Sequence, residues 1–104
     1  MLRILLCCSA GMSTSLLVSK METAARNSGL EAKIEAMPVG EGKQKINDWD
    51  VVLLGPQVTY ALAEFKAITD KPVSTIPPAI YATAKGKEAV EMAVKMATEA
   101  GIQI

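Results

Sequence analysis

Residues 7–15 read CCSAGMSTS: two thiols, then small and hydroxylated side chains around a single methionine. A cysteine thiolate is a nucleophile, and its surroundings decide how readily it ionises. Small residues let successive backbone N–H groups turn inward around an anion, and Gly11 can adopt positive φ. If a helix starts at the end of this stretch, its unpaired N–H groups and partial positive charge face the same point. Ser13, Thr14 and Ser15 add hydroxyls. The chemistry expected is a phosphoryl group attached to, or approaching, the sulfur of Cys8. Ser9, Ala10, Gly11, Met12, Ser13, Thr14 and Ser15 would form the loop that holds it. A thiol placed there should ionise readily and attack well. Cys7, one residue back on a strand, points to the opposite side and is expected to be a small buried hydrophobe. A Ser/Gly/Thr stretch also suits a plain turn with a helix cap, so the elements around it must decide.

Composition removes several alternatives. The chain has no histidine, which excludes the common zinc sites and any Ser-His or Cys-His mechanism within one chain. Eleven basic and eleven acidic residues leave no basic excess of the kind a nucleic-acid partner needs. Two adjacent cysteines make neither a disulfide framework nor a Cys-x-x-Cys redox pair, and they suit a reducing cytosol. Only Ile4, Leu5 and Leu6 separate Arg3 from Cys7, far short of the roughly 7–15 apolar residues of a secretion signal. No uninterrupted apolar run approaches the ~18 residues of a membrane span. The expectation is a soluble, cytoplasmic protein without metal or cofactor.

The elements that must position the loop follow from hydrophobic spacing. Residues 2–7 and 51–54 are short, nearly continuous apolar runs, as in strands covered on both faces. Residues 30–36 alternate, with Leu30, Ala32, Ile34 and Ala36 set against Glu31, Lys33 and Glu35, which predicts a half-exposed edge strand. Residues 73–76, between Pro72 and Pro77, suit the opposite edge. Helical spacing covers 14–28 through Leu17, Met21, Ala24 and Ala25, with Gly29 as a stop. It recurs at Val58, Ala61, Leu62 and Phe65, and over 88–100 through Val90, Ala93, Val94 and Ala97, ending at Gly101. Residues 39–48 read as a short surface helix or a loop.

Alternation of this kind predicts one α/β domain over residues 1–104, a four-stranded parallel sheet in the order 2-1-3-4 with helices on both faces. At 104 residues the chain can bury roughly 65% of its unfolded surface, and half of its residues are hydrophobic. In such a sheet ligands bind beyond the carboxyl ends of the strands where their order reverses, here between strands one and three. The loop after Cys8 and the stretch Gly55-Pro56-Gln57 therefore border one site.

At these residues the sequence resembles a known family. Residues 8–15 followed by Leu16, Leu17 and Val18, together with residues 51–58 and Tyr60, are similar to the enzyme IIB component of the bacterial phosphoenolpyruvate-dependent sugar phosphotransferase system. The lactose/cellobiose/chitobiose branch is the nearest in pattern. The resemblance implies the fold inferred above, shared with low-molecular-weight tyrosine phosphatases. It also implies that Cys8 accepts a phosphoryl group from a phosphohistidine of a IIA partner and passes it to a sugar entering through membrane IIC. The carrier would be a monomer, meeting IIC at the inner face of the plasma membrane. Specificity for β-linked disaccharides such as cellobiose, chitobiose or lactose is likewise an implication of the resemblance. One departure concerns Tyr81, where relatives often have a following glycine and this chain has Ala82; Gln57 and Tyr81 are expected near the site.

A phosphatase or arsenate reductase using Cys8 as nucleophile is the rival reading. A phosphatase loop runs cysteine, five residues, arginine, then serine or threonine; here Thr14 stands at the arginine position and Ser15 follows. Bidentate clamping of the transferring group by a guanidinium is therefore missing. The stretch after the fourth strand, residues 77–84, also lacks the acid that would protonate a leaving group and then activate water. For a carrier, whose phosphocysteine must outlive the encounter with water, both absences are useful. A carrier docks on donor and acceptor through the same exposed Cys8 sulfur, and Met12, at a loop tip with an adaptable side chain, is a candidate contact with both.

Overall fold

A computed structural model describes residues 1–8 and 14–102. In chain order the elements are β1 (Leu2–Cys8), α1 (Thr14–Asn27), β2 (Ala32–Pro38), α2 (Val39–Gln44), β3 (Val51–Leu54), α3 (Ala61–Ile68), β4 (Val73–Thr75), α4 (Pro78–Ala82) and α5 (Gly86–Glu99). Short 3-10 turns at Ile46–Asp48 and Pro56–Val58 lead into and out of β3. The four strands form one parallel sheet in the order β2-β1-β3-β4.

Strand alternation sends β1 side chains to two different cores. Leu2, Ile4 and Leu6 pack with Val51 and Leu53 of β3 under Leu17 and Met21 of α1 and Ala89, Ala93 and Ala97 of α5. Leu5 and Cys7 pack on the other face with Val52, Leu54, Trp49 and the α3 residues Ala61 and Phe65. Two-sided burial is why β1 and β3 read as unbroken apolar runs rather than as alternation.

Both long helices stop at glycine by the same device. Gly29 (φ 75°) and Gly101 (φ 78°) take the left-handed conformation. The following N–H groups, of Leu30 and Ile102, donate to the carbonyls of Ala25 and Ala97, each at 2.9 Å. These are Schellman closures, in which the residue after the glycine also packs on the core. Leu30 is that residue, which is why β2 begins at Ala32 and runs to Pro38 instead of spanning 30–36. Residues 39–48 resolve into α2 and a 3-10 turn, and their surface character is only partial because Gly42 and Ile46 are buried. Residues 77–84, expected to be a loop, contain α4. Pro78 sits at its first turn, where a missing N–H costs nothing, and the N–H groups of Ile80 and Tyr81 both donate to the Pro77 carbonyl.

The amino end of the sheet is locked by charge. The Arg3 N–H and guanidinium both donate to the Asp50 carboxylate, at 2.9 and 3.1 Å, while the Asp50 N–H donates to the Arg3 carbonyl. The Lys71 ammonium donates to the carbonyls of Ile46, Asn47 and Trp49. Burial alone would raise the pKa of Asp50. Hydrogen bonds from the Arg3 side chain and backbone, with the Arg3 and Lys71 charges, together outweigh it and hold the carboxyl below its ordinary value. A carboxyl with a depressed folded pKa stabilises the fold above its unfolded pKa, and that contribution is lost as pH falls through the folded value. Asp50→Asn should therefore lower the melting temperature by several degrees near neutral pH. The gap to the parent should narrow in melts below about pH 4, and a gap that stays constant with pH would refute the assignment.

Candidate functional site

The strand order reverses between β1 and β3, so their carboxyl ends open onto the crevice where α/β sheets hold ligands. Cys8 is the last residue of β1. By alternation it faces the same side as Leu6, the side of α1, α5 and Tyr81. Beside it, Gly55 follows β3 and its N–H donates to the Cys7 carbonyl at 2.9 Å. Pro56 then starts the 3-10 turn, closed by the Val58 N–H on the Gly55 carbonyl at 3.0 Å.

Gly55 is where three pieces of chain meet. A Cβ there would lie 2.9 Å from Gln57 Oε1, 3.4 Å from Tyr81 Cε1 and 3.7 Å from the Cys7 carbonyl oxygen. The side chain of Gln57 folds back over Gly55, and the ring of Tyr81 rests beside it. The structure thus brings together Gly55, Gln57 and Tyr81 at the end of the strand that carries Cys8. Gln57 is exposed, Pro56 half-buried, and Tyr81 buried in the α1/α5 core from its position on α4.

Ser9, Ala10, Gly11, Met12 and Ser13 lie outside the described residues, and the backbone nest expected of them lies there too. Thr14 and Ser15 open α1, whose N-terminus follows that stretch; Ser15 is exposed. One expectation is corrected. Cys8 is 4% exposed, not the open sulfur expected of a docking nucleophile. It is the last residue of β1 and pairs with Pro38 at the end of β2.

Cys7 behaves as a buried hydrophobe. It is fully buried, and burial, with the neighbouring Cys8 adding to it, pushes its thiol up to about 12. It is protonated and inert at neutral pH. Spacing did not reveal Gly42 of α2, which packs directly against the Cys7 sulfur. A glycine in a short helical stretch is the available signal, and it does not name its partner. Leu16 and Tyr60, 57% and 63% exposed, stand at the same end of the sheet, on the first turn of α1 and just before α3. Among the described residues no cluster of three or more His, Cys, Asp or Glu could hold a metal, and no helix is long and apolar enough to cross a membrane.

Fold and site together define a doubly wound α/β protein with a thiol at its switch point. Residues 3–92 match the family described as PTS system, Lactose/Cellobiose specific IIB subunit, so the chain belongs to that family of the sugar phosphotransferase system. The oligo-beta-mannoside-specific EIIB component of Bacillus subtilis (strain 168) is 40% identical over 99 residues, covering 92% of this chain and 96% of that one. The cellobiose-specific EIIB component of Lactococcus lactis subsp. lactis (strain IL1403) is 39% identical over 101 residues, covering 86% and 91%. Among solved structures, the cellobiose-specific IIB component of Borrelia burgdorferi superposes with a TM-score of 0.76 at 34% identity, covering 91% of this chain and 90% of that one. The lactose-specific IIB domain of Streptococcus pneumoniae gives 0.78 at 16% identity, over 91% and 96%, a likeness of fold. The resemblance read from residues 8–18 and 51–60 and the 2-1-3-4 sheet both hold.

Proposed function

We propose that residues 1–104 form one IIB domain acting as a cytoplasmic phosphoryl carrier with Cys8 as its acceptor. The observation that carries the reading is the position of Cys8, at the carboxyl end of a central strand and at the switch point, in a chain of the IIB family. In the first transfer the P–N bond of a IIA phosphohistidine breaks as the Cys8 thiolate forms a P–S bond. In the second, a sugar hydroxyl held by IIC attacks phosphorus, the P–S bond breaks, and the hydroxyl proton leaves to solvent. Cys8 is 4% exposed, so transfer requires a docked partner to gain access to its sulfur. The relatives are named for oligo-β-mannosides, cellobiose and galactose; the first two suit a β-linked disaccharide as the cargo, and the third is a monosaccharide.

The rim suits two successive partners. Residues 4–19, 51–63 and 72–84, which carry β1, β3 and β4 and the stretches after their carboxyl ends, contain no charged side chain. Exposed Leu16 and Tyr60 give that neutral end an apolar contact surface. A loaded cysteine carries roughly two negative charges, so the phosphoryl group is a strong electrostatic feature beside these uncharged segments. Incubating the protein with phosphorylated IIA and measuring its intact and peptide masses tests the reading. One added phosphoryl group on the peptide containing Cys8 is expected, and a phosphoryl group elsewhere, or none, would overturn it.

Thr14 separates carrier from phosphatase. Thr14→Arg supplies the guanidinium of a phosphatase loop and should tighten binding of inorganic phosphate. Hydrolysis of the loaded protein should still rise little, because residues 76–84 offer no acid to activate water, and the helix there presents Tyr81 instead. Phosphocysteine decay followed by mass spectrometry checks this; decay at a phosphatase-like rate would show that arginine alone confers hydrolysis.

A further inference from the structure

The residue behind Cys8 is held from two directions. Its carbonyl accepts the Gly55 N–H at 2.9 Å, and its sulfur is met by α2. A Cβ at Gly42 would lie 2.5 Å from Cys7 Sγ, 3.3 Å from Leu5 Cδ2 and 3.5 Å from Phe65 Cζ. Gly40, two residues earlier in the same helix, has nothing within 4 Å of such a Cβ. The glycine is therefore required at one position of α2 and free to vary at the other.

We infer that Gly42 is a positioning residue for Cys8, its missing side chain being the space into which the Cys7 sulfur fits, so that the end of β1 lies at the height the site needs. The inference rests on the carrier reading of Cys8. A methyl group at Gly42 must displace either α2 or Cys7. Neither end of α2 is loose. Val39 follows directly from Pro38 at the end of β2, which pairs with Cys8 itself. Beyond the helix, the carbonyls of Ile46, Asn47 and Trp49 are tied down by Lys71. Lys43 of α2 also pairs with Glu64 of α3. The displacement therefore passes to Cys7, and from it to the next residue, Cys8.

The test is a size-complementation pair. Gly42→Ala should slow phosphoryl uptake from phosphorylated IIA by about tenfold or more at a temperature where circular dichroism shows it folded. Adding Cys7→Ala should restore most of that rate, because the sulfur that clashes is gone. Gly40→Ala should behave as the parent. The Cβ resonance of Cys8 should shift in Gly42→Ala and return in the double variant. A folded Gly42→Ala protein with parental uptake and an unmoved Cys8 resonance would overturn the inference, as would a double variant no better than the single. If Gly42→Ala does not fold, Cys7→Val adds bulk to the same contact from the strand side. It should slow uptake too, and parental uptake there would overturn the inference equally. If the phosphoryl group of the parent is found away from Cys8, the carrier reading fails, while the Cys8 resonance still decides the positioning.

Discussion

Cys8→Ser is expected to abolish phosphoryl uptake, while Cys7→Ala keeps most of it and costs about 1–2 kcal/mol of stability for a small buried cavity. The contrast follows from a difference of one residue along a strand. Cys8 faces the side of α1 and Tyr81 at the end of β1, whereas Cys7 faces α2 and α3 with a thiol pushed up to about 12. Serine in place of Cys8 keeps the size of the side chain and loses the thiolate. No histidine exists in the chain to take the hydroxyl's proton instead. Intact mass after incubation with phosphorylated IIA, with urea melts to confirm folding, gives both readouts. The assignment is falsified if folded Cys8→Ser still loads while Cys7→Ala does not.

What spacing revealed and what it missed divide along a physical line. β1 and β3 were legible because a strand buried on both faces must be apolar throughout, and Leu2, Ile4, Leu5, Leu6 and Val51 to Leu54 leave little else to read. The ends of α1 and α5 were legible because Gly29 and Gly101 each sit where only a left-handed residue closes the helix. The switch point followed from strand order alone. Contacts made across long stretches of chain were not legible. Tyr81 was expected near the site through the family resemblance and not through spacing, which gives no sign that its ring rests at Gly55 or that Gly42 meets Cys7. The double proline at 77 and 78 reads as a break, yet Pro78 starts a helix because its fixed φ suits a first turn. The near-burial of Cys8 is a tertiary property that no local pattern carries.

Gly86→Ala should be among the most destabilising single changes in the molecule. Gly86 opens α5 where that helix crosses α1, and a Cβ there would lie 2.3 Å from the Lys20 carbonyl carbon and 2.5 Å from both Lys20 O and Met21 N. These are backbone atoms in the second turn of a hydrogen-bonded helix, so no rotamer change relieves the overlap. The helices must separate, which loosens Leu17 and Met21 from Ala89, Val90 and Ala93. Overpacking of this kind costs about 3 kcal/mol, which in a domain of this size lowers the melting temperature by about 10–20 °C. Gly40→Ala is the matched control, since its Cβ meets nothing and alanine favours helix by about 0.5–1 kcal/mol. Thermal melts of the two variants should therefore move in opposite directions. A Gly86→Ala protein melting with the parent would mean that α1 and α5 do not cross this closely. Because the N-terminus of α1 follows the loop after Cys8, the same variant should also load phosphoryl groups more slowly while still folded. Gly86 would then set the seat of the helix on one face of the sheet, as Gly42 sets the height of the strand from the other.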